Sequence, residues 1–310
     1  MYLSIVVPVF NEEQNITPLL EKIISTLDPL KKDYEILFVD DGSRDNTFSV
    51  LKQFAQKNKH IRVIKLAKNF GQTAALTAGF RHAKGDIIIT MDGDLQNDPA
   101  DIPKIVSAIE KGYDVVSGWR YNRKDPGLQK VLPSLIASFL RRRVVGDKVH
   151  DSGCSLKGYR RRAVKDLKLL GETHRFIPLI LQWQGYKIGE IKVNHYPRKY
   201  GRTKYSFKRL WNGFMDILGL LFWRKYSTKP LYFFGAIGLF SIVSAFLLLL
   251  IVCYIAFSEG SKLVVGPLLL FTVVLFLGGM QILLMGIVAD MQTRLYYSQK
   301  EIYDLEELVN

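Results

Sequence analysis

Charged residues are missing from two long stretches of this chain: none occurs between Leu231 and Phe257, and none between Leu263 and Ala289. Each run is 27 residues long, and about 20 apolar residues suffice to cross a hydrocarbon core. Core helices seldom stay uncharged for that length, so both runs are predicted as transmembrane helices. The connection Ser258-Glu259-Gly260-Ser261-Lys262 is short enough only for a hairpin. Nor is a secretory leader expected. Met1 to Pro8 reads directly as a first strand, with no basic segment or cleavage site, so the first 230 residues are expected to stay on the side of synthesis. Acids are scarce before the first span: between 198 and 229 there are nine Lys/Arg against Asp216 alone. Positive flanks mark the cytoplasmic side, which places the polar part and both termini there. Only two cysteines occur, Cys154 in the polar part and Cys253 inside the first run. They are not expected to pair, and a cytosolic chain keeps thiols reduced. Internal repeats and low-complexity tracts are absent.

The net charge is +14. Because basic residues crowd beside the spans, the excess points to anionic lipid and phosphate substrates rather than to nucleic acid.

The stretch Ile87-Ile88-Ile89-Thr90-Met91-Asp92-Gly93-Asp94-Leu95-Gln96 carries the most chemistry. Its β-branched run reads as a strand buried on both faces. Asp92 and Asp94 then fall at the strand's C-terminal end, where open α/β sheets bind ligands, and Gly93 permits close backbone approach. Two carboxylates without a base between them suit Mg²⁺ or Mn²⁺ bridging to a diphosphate. On spacing alone, an acidic turn is an equal reading.

Around it, strands and helices alternate. Leu3–Val9, Tyr34–Val39, Ile61–Leu66, Asp86–Met91 and Asp114–Ser117 read as strands. Helices are predicted from Asn11, as cap, to Leu27, and over Thr47–Lys57, Gln72–His82 and Pro99–Lys111. The alternation predicts right-handed βαβ units in a doubly wound sheet. Leu128–Leu140 suits an interfacial helix or core packing equally. Tyr205–Trp223, apolar with basic ends, is predicted to lie in the membrane interface. Asp290–Leu308 reads as a polar helix, for pairing between copies of the chain or as a solvated tail. The expected division is a catalytic domain over 1–204, a juxtamembrane helix over 205–229, two spans within 230–289 and a terminal helix over 290–310.

Val7-Pro8-Val9-Phe10-Asn11-Glu12-Glu13, Val39-Asp40-Asp41-Gly42-Ser43 and Asp92-Gly93-Asp94-Leu95-Gln96 together resemble the family 2 glycosyltransferases of GT-A fold. His150-Asp151-Ser152-Gly153-Cys154, Gly158-Tyr159-Arg160-Arg161 and Arg198-Lys199-Tyr200-Gly201-Arg202-Thr203-Lys204, with two C-terminal spans, narrow the resemblance to the polyprenyl-phosphate glycosyltransferases. The resemblance implies a Rossmann-like doubly wound catalytic domain that moves a sugar from a nucleotide to a polyprenyl phosphate at the bilayer. UDP-hexose is the first expectation for the donor and GDP-mannose the second. It implies nucleotide contacts from Pro8, Phe10, Glu12, Asp41 and Asp92, and a metal held by Asp92, Asp94 and Gln96. It also implies phosphate contacts from Arg120, Arg198 and Lys204, and catalytic roles for Asp151 and Asp94. Asp151 matches the family's base. A phosphate monoester, with its second pKa near 6, needs little proton removal, so an orienting role is the alternative.

Two other classes share parts of this pattern. A processive polysaccharide synthase has the same donor site, but Gln182-Trp183-Gln184-Gly185 lacks the Gln-x-x-Arg-Trp pattern, and two spans do not readily form a channel. An inactive, membrane-anchored nucleotide-binding protein would not need Asp92, Asp94, Asp151 and Arg198 together.

Overall fold

Tyr34–Asp40 and Ile87–Thr90 are buried along their whole length, and a strand with no exposed face must lie in a sheet covered on both sides. The computed structural model shows that sheet. It describes residues 1–121, 146, 148–167, 169, 171, 173–197, 218–219, 221–258 and 262–298. They fall into two compact units, 1–217 and 218–310.

The first unit is built on seven strands: β1 (Leu3–Val9), β2 (Tyr34–Asp40), β3 (Ile61–Lys65), β4 (Ile87–Thr90), β5 (Val115–Trp119), β6 (Lys157–Arg160) and β7 (Ile188–Lys192), in spatial order β3-β2-β1-β4-β6-β5-β7. Helices α1 (Glu13–Leu27), α2 (Thr47–Lys57) and α4 (Ile102–Glu110) cover one face through Ile16, Leu51 and Ile105. Helix α3 (Gln72–His82) covers the other through Leu76 and Phe80. It is joined there, after the single turn α5 (Arg161–Val164), by α6 (Ile177–Trp183) through Ile177 and Leu181.

The sheet is mixed, not wholly parallel. β6 runs antiparallel to both β4 and β5, whereas β5 and β7 are parallel. Two antiparallel steps bring β5 back to the direction of β4. The C-terminal ends of β1, β4 and β5 and the start of β6 therefore share one edge. Neither β6 nor β7 was predicted: Lys157-Gly158-Tyr159-Arg160 and Ile188-Gly189-Glu190-Ile191-Lys192 carry too little alternation to announce strands.

A second correction concerns Asn11. It does not cap α1; Glu12 is the capping residue and makes no side-chain cap bond. Asn11 takes φ +56°, donates its N–H to Ser43 Oγ at 2.9 Å and accepts from Arg44 N at 2.8 Å. Thr47 Oγ1 takes the Glu12 N–H at 2.9 Å. The turn after β2 thus satisfies the start of α1, which ties the ends of β1 and β2 together.

The second unit contains α7 (Pro230–Ser258) and α8 (Lys262–Ser298), both long and apolar enough to cross a membrane. They are not core helices: large apolar side chains such as Phe240 and Phe257 are exposed, the latter 94 %. They pack through small residues. A Cβ on Gly238 would meet Gly279 O at 2.7 Å, and one on Gly279 would meet Gly238 O at 2.9 Å. Such close approach is how helices associate where lipid removes the hydrophobic drive. Ser241 Oγ adds a bond to Leu275 O at 2.9 Å. The expected polar terminal helix is continuous with α8 as far as Ser298. The helices predicted at Leu128–Leu140 and over most of Tyr205–Trp223 lie outside the described residues.

Glu35 joins β1, β2, β3 and the approach to β4. It is 1 % exposed and accepts from Ser4 Oγ, Lys84 N and Arg62 Nη1, each at 2.6 Å. Burial alone would raise its pKa; these bonds and the Arg62 charge outweigh burial and hold it below the ordinary value. Its contribution to stability is therefore present above the unfolded carboxyl pKa and is lost as pH falls through the folded one. Glu35→Gln is expected to cost about 1–3 kcal/mol at neutral pH. The gap from wild type should narrow below about pH 4, as read by thermal melts of detergent-solubilised protein across pH.

Candidate active site

The first three strands run outward from β1 to one side, and β4 lies on its other side. That reversal is the switch point at which open α/β sheets bind ligands. β1 and β4 pair only from Leu3↔Ile87 to Val6↔Thr90, after which the two chains diverge. Pro8, which has no N–H to donate, falls beyond the last β4 partner and fits there. Gly93 is the point of closest return: a Cβ on it would lie 2.7 Å from Val9 Cγ1.

The gap is a cavity of about 300 Å³, and Pro8, Phe10, Glu12, Asp41, Asp92 and Asp94 all line it. Phe10 is 37 % exposed, an apolar plane at the mouth. Asp41 is buried, and its two oxygens accept from Phe70 N at 2.8 Å and Gly71 N at 2.9 Å. It therefore fixes the 69–71 wall as well as lining the cavity. Asp92 Oδ1 accepts from Gln72 Nε2 at 2.7 Å, and Asp94 Oδ1 from Gln96 N at 3.2 Å. Between them and Gln96, buried Leu95 is held at φ +62°. That left-handed conformation costs a non-glycine residue about 1–2 kcal/mol and keeps the turn tight. Gln96 does not line the cavity; its amide reaches toward Tyr196 O at 3.5 Å.

Burial first, and then the neighbouring charge of Asp94, push the Asp92 carboxyl above its usual pKa. An acid pair in this state, with Asp94 buried and Asp92 partly so, favours a proton or a cation. Among the described residues no three or more His, Cys, Asp or Glu side chains converge. Two carboxylates alone suit a hard ion such as Mg²⁺, which keeps waters and takes its remaining oxygens from phosphate. The residues fit a divalent cation on that chemistry.

Along the same edge, Arg120 follows β5 and Asp151 precedes β6. They pair bidentately, Nε to Oδ2 at 2.6 Å and Nη2 to Oδ1 at 2.9 Å. Burial works against the Arg120 charge, but the bond and charge of Asp151 prevail and raise its pKa. Arg120 and Asp151, expected in separate roles, are partners. Arg198 and Lys204 lie outside the described residues. Burial pushes the Cys154 thiol up to about 11, which leaves it unreactive at neutral pH.

Asn69, Gly71 and Gln72 also line the cavity without having been predicted; their only signal was position, in the loop after the third strand and at the first residue of α3. Lys157 gave none. It is 4 % exposed, in register with Thr90 and Ser117. Among the described residues its Nζ has one hydrogen-bond acceptor, Ser152 O at 3.0 Å. Burial lowers its pKa, opposed by the charges of Asp151 and Asp92 among others.

These features define a mixed α/β fold with a ligand cavity and an acid pair at its switch point. Residues 4–168 match the family described as Glycosyl transferase family 2, and the chain belongs to that family. It is 42 % identical to the dodecaprenyl-phosphate galacturonate synthase of Rhizobium johnstonii over 95 % of this chain and 88 % of that protein. It is 36 % identical to the undecaprenyl-phosphate 4-deoxy-4-formamido-L-arabinose transferase of Proteus mirabilis, over 94 % and 89 %. Its fold is shared with glucosyl-3-phosphoglycerate synthase from Mycobacterium tuberculosis, crystallised with Mn²⁺, UDP and phosphoglyceric acid. The TM-score is 0.55 at 18 % identity, over 72 % of this chain and 78 % of that one. The expected GT-A-like fold and glycosyltransferase class hold.

A buried ammonium with a single acceptor costs folding energy that a methionine would not. Lys157→Met is expected to melt at or above the wild-type temperature while turnover falls about tenfold or more. Parallel melting and activity measurements check both halves.

Proposed function

We propose that this chain transfers a sugar from a nucleotide sugar to the phosphate of a membrane polyprenol, releasing a nucleoside diphosphate. The observation that carries this reading is the meeting, at one sheet edge, of the Asp92–Asp94 pair with the Arg120–Asp151 pair, in a chain with two membrane-length helices. Both relatives are named for polyprenyl phosphates, and UDP is the first choice of carrier because the synthase of like fold was crystallised with it.

Phe10 and Pro8 offer apolar surface to the base, and Glu12 and Asp41 offer acceptors to base and ribose donors. Asp92 and Asp94 would hold the divalent cation. When bound, it supplies charge neutralisation for the departing diphosphate. An acceptor phosphate oxygen attacks C1 of the sugar while the C1–O bond to the diphosphate breaks, and a single displacement inverts the anomeric centre.

The acceptor is already largely dianionic at neutral pH. A bare Asp151 would repel it. Pairing with Arg120 cancels that charge, and Arg120 Nη1, which has no other partner among the described residues, is left to donate to phosphate. Asp151 then orients the acceptor. Arg198 and Lys204 are proposed as further phosphate contacts, and Gln96 as a further metal ligand. The basic residues before Pro230 would keep the catalytic unit and both termini on the cytoplasmic side.

Purified protein incubated with undecaprenyl phosphate, Mn²⁺ or Mg²⁺ and a panel of UDP-hexoses, UDP-uronic acids and GDP-mannose is expected to form a lipid-linked sugar from one donor only when the ion is present. Asp92→Asn and Asp94→Asn should each lower the rate on the order of a hundredfold, as losing one preorganised electrostatic contact does. No product across the panel would sink the reading. Asp151→Asn should slow transfer by a factor that stays flat between pH 6 and 9; a steep pH dependence would instead mark a general base.

A further inference from the structure

Glu190, on β7, lies outside the proposed chemistry yet grips the residues that present Asp151. Its Oε1 accepts from the backbone N–H of His150 at 2.8 Å and of Asp151 at 3.2 Å. Its Oε2 meets His150 Nδ1 at 2.6 Å. The carboxylate is only 14 % exposed, so these bonds are shielded from competing water. On the other side of His150, Trp119 stacks on the imidazole with ring centroids 4.6 Å apart and planes 16° from parallel. Two rungs result: Trp119 against His150, and Arg120 against Asp151. From a third direction, Lys157 Nζ donates to Ser152 O.

Apart from His150 Nδ1, the groups of this turn that Glu190 and Lys157 engage are main-chain N–H and C=O groups, so they hold its path without using the Asp151 carboxylate. The grip rests on an acceptor that takes the N–H groups of two successive residues at once. Transfer chemistry needs its orienting groups within a fraction of an ångström, and a displacement of about 1 Å can cost a hundredfold in rate.

We infer that Glu190 is a positioning residue: it holds the backbone of residues 150 and 151 so that the Asp151 carboxylate stays in bidentate register with Arg120 and faces the acceptor. This rests on the proposed role of Asp151 in transfer.

A double-mutant cycle with wild type, Glu190→Ala, Asp151→Asn and the double variant tests it, reading kcat and donor KM for lipid-linked product together with Tm. Glu190→Ala should lower kcat about tenfold to a hundredfold, leave donor KM within about twofold, and lower kcat no further when Asp151 is already Asn. Glu190→Gln, whose carbonyl still accepts both N–H groups, should recover most of the rate. Independent losses that multiply in the double variant, or a Tm change with kcat intact, would overturn the inference while leaving the reading of Asp151 in place. Wild-type turnover in Asp151→Asn would sink both. Should Glu190→Ala not fold, Glu190→Asp, which keeps the charge but shortens the reach, takes its place in the cycle with the same expected non-additivity.

Discussion

The divergence of β1 and β4 is the constraint on which the site depends. The two strands are bonded for four residue pairs and then separate, because the connections on either side of β1 run to opposite sides of the sheet. No local sequence preference opens that gap. It follows from topology, and it leaves Pro8 to Phe10 facing Asp92 to Asp94 across a polar cavity. The cavity walls are held by bonds between strand ends: Asp41 to the 70–71 backbone, Gln72 to Asp92, and the 43–47 turn to the start of α1.

Charge is the second organising element. Asp92, Asp94 and Asp151 are gathered with Arg120 and Lys157 where burial magnifies every interaction. Asp92 is held above its usual pKa and Lys157 below its own, so the folded chain carries an electrostatic cost at this edge. Costs of this kind concentrate at functional sites, where an arriving ion or substrate relieves them. The Arg120–Asp151 pair adds a neutral element that an anion can approach, as a lone carboxylate could not.

The antiparallel β6 matters more than its four residues suggest. Inserted between β4 and β5, it restores their common direction and brings the 150–156 segment to the edge that already carries the acid pair. Thr90 Oγ1 bonds Ser155 O at 2.9 Å, and Ser155 Oγ bonds Asn97 Oδ1 at 2.8 Å. These stitch the loop before β6 to the loop after β4. β7, at the sheet's far edge, then supplies Glu190. In the second unit, glycine contacts serve close approach in the same way that Gly93 does in the first, although there they join helices.

Much of this protein is legible along its length. Uncharged runs of 27 residues specify membrane-length helices whatever surrounds them, because burial of apolar surface depends on composition. The first four strands announce themselves by β-branched runs, and Asp92-Gly93-Asp94 by carboxylates at a strand end. The six predicted cavity residues needed only the family motifs. Local pattern could not show the mixed direction of the sheet, the pairing of Arg120 with Asp151, the buried Lys157 or the grip of Glu190. Those residues lie 31 to 40 positions from their partners where they pair at long range, or sit in strands too short and polar to show a period. Composition and periodicity, being local, determined the elements and the membrane helices. Which charges face one another was decided only when tertiary packing brought distant strand ends to a single edge.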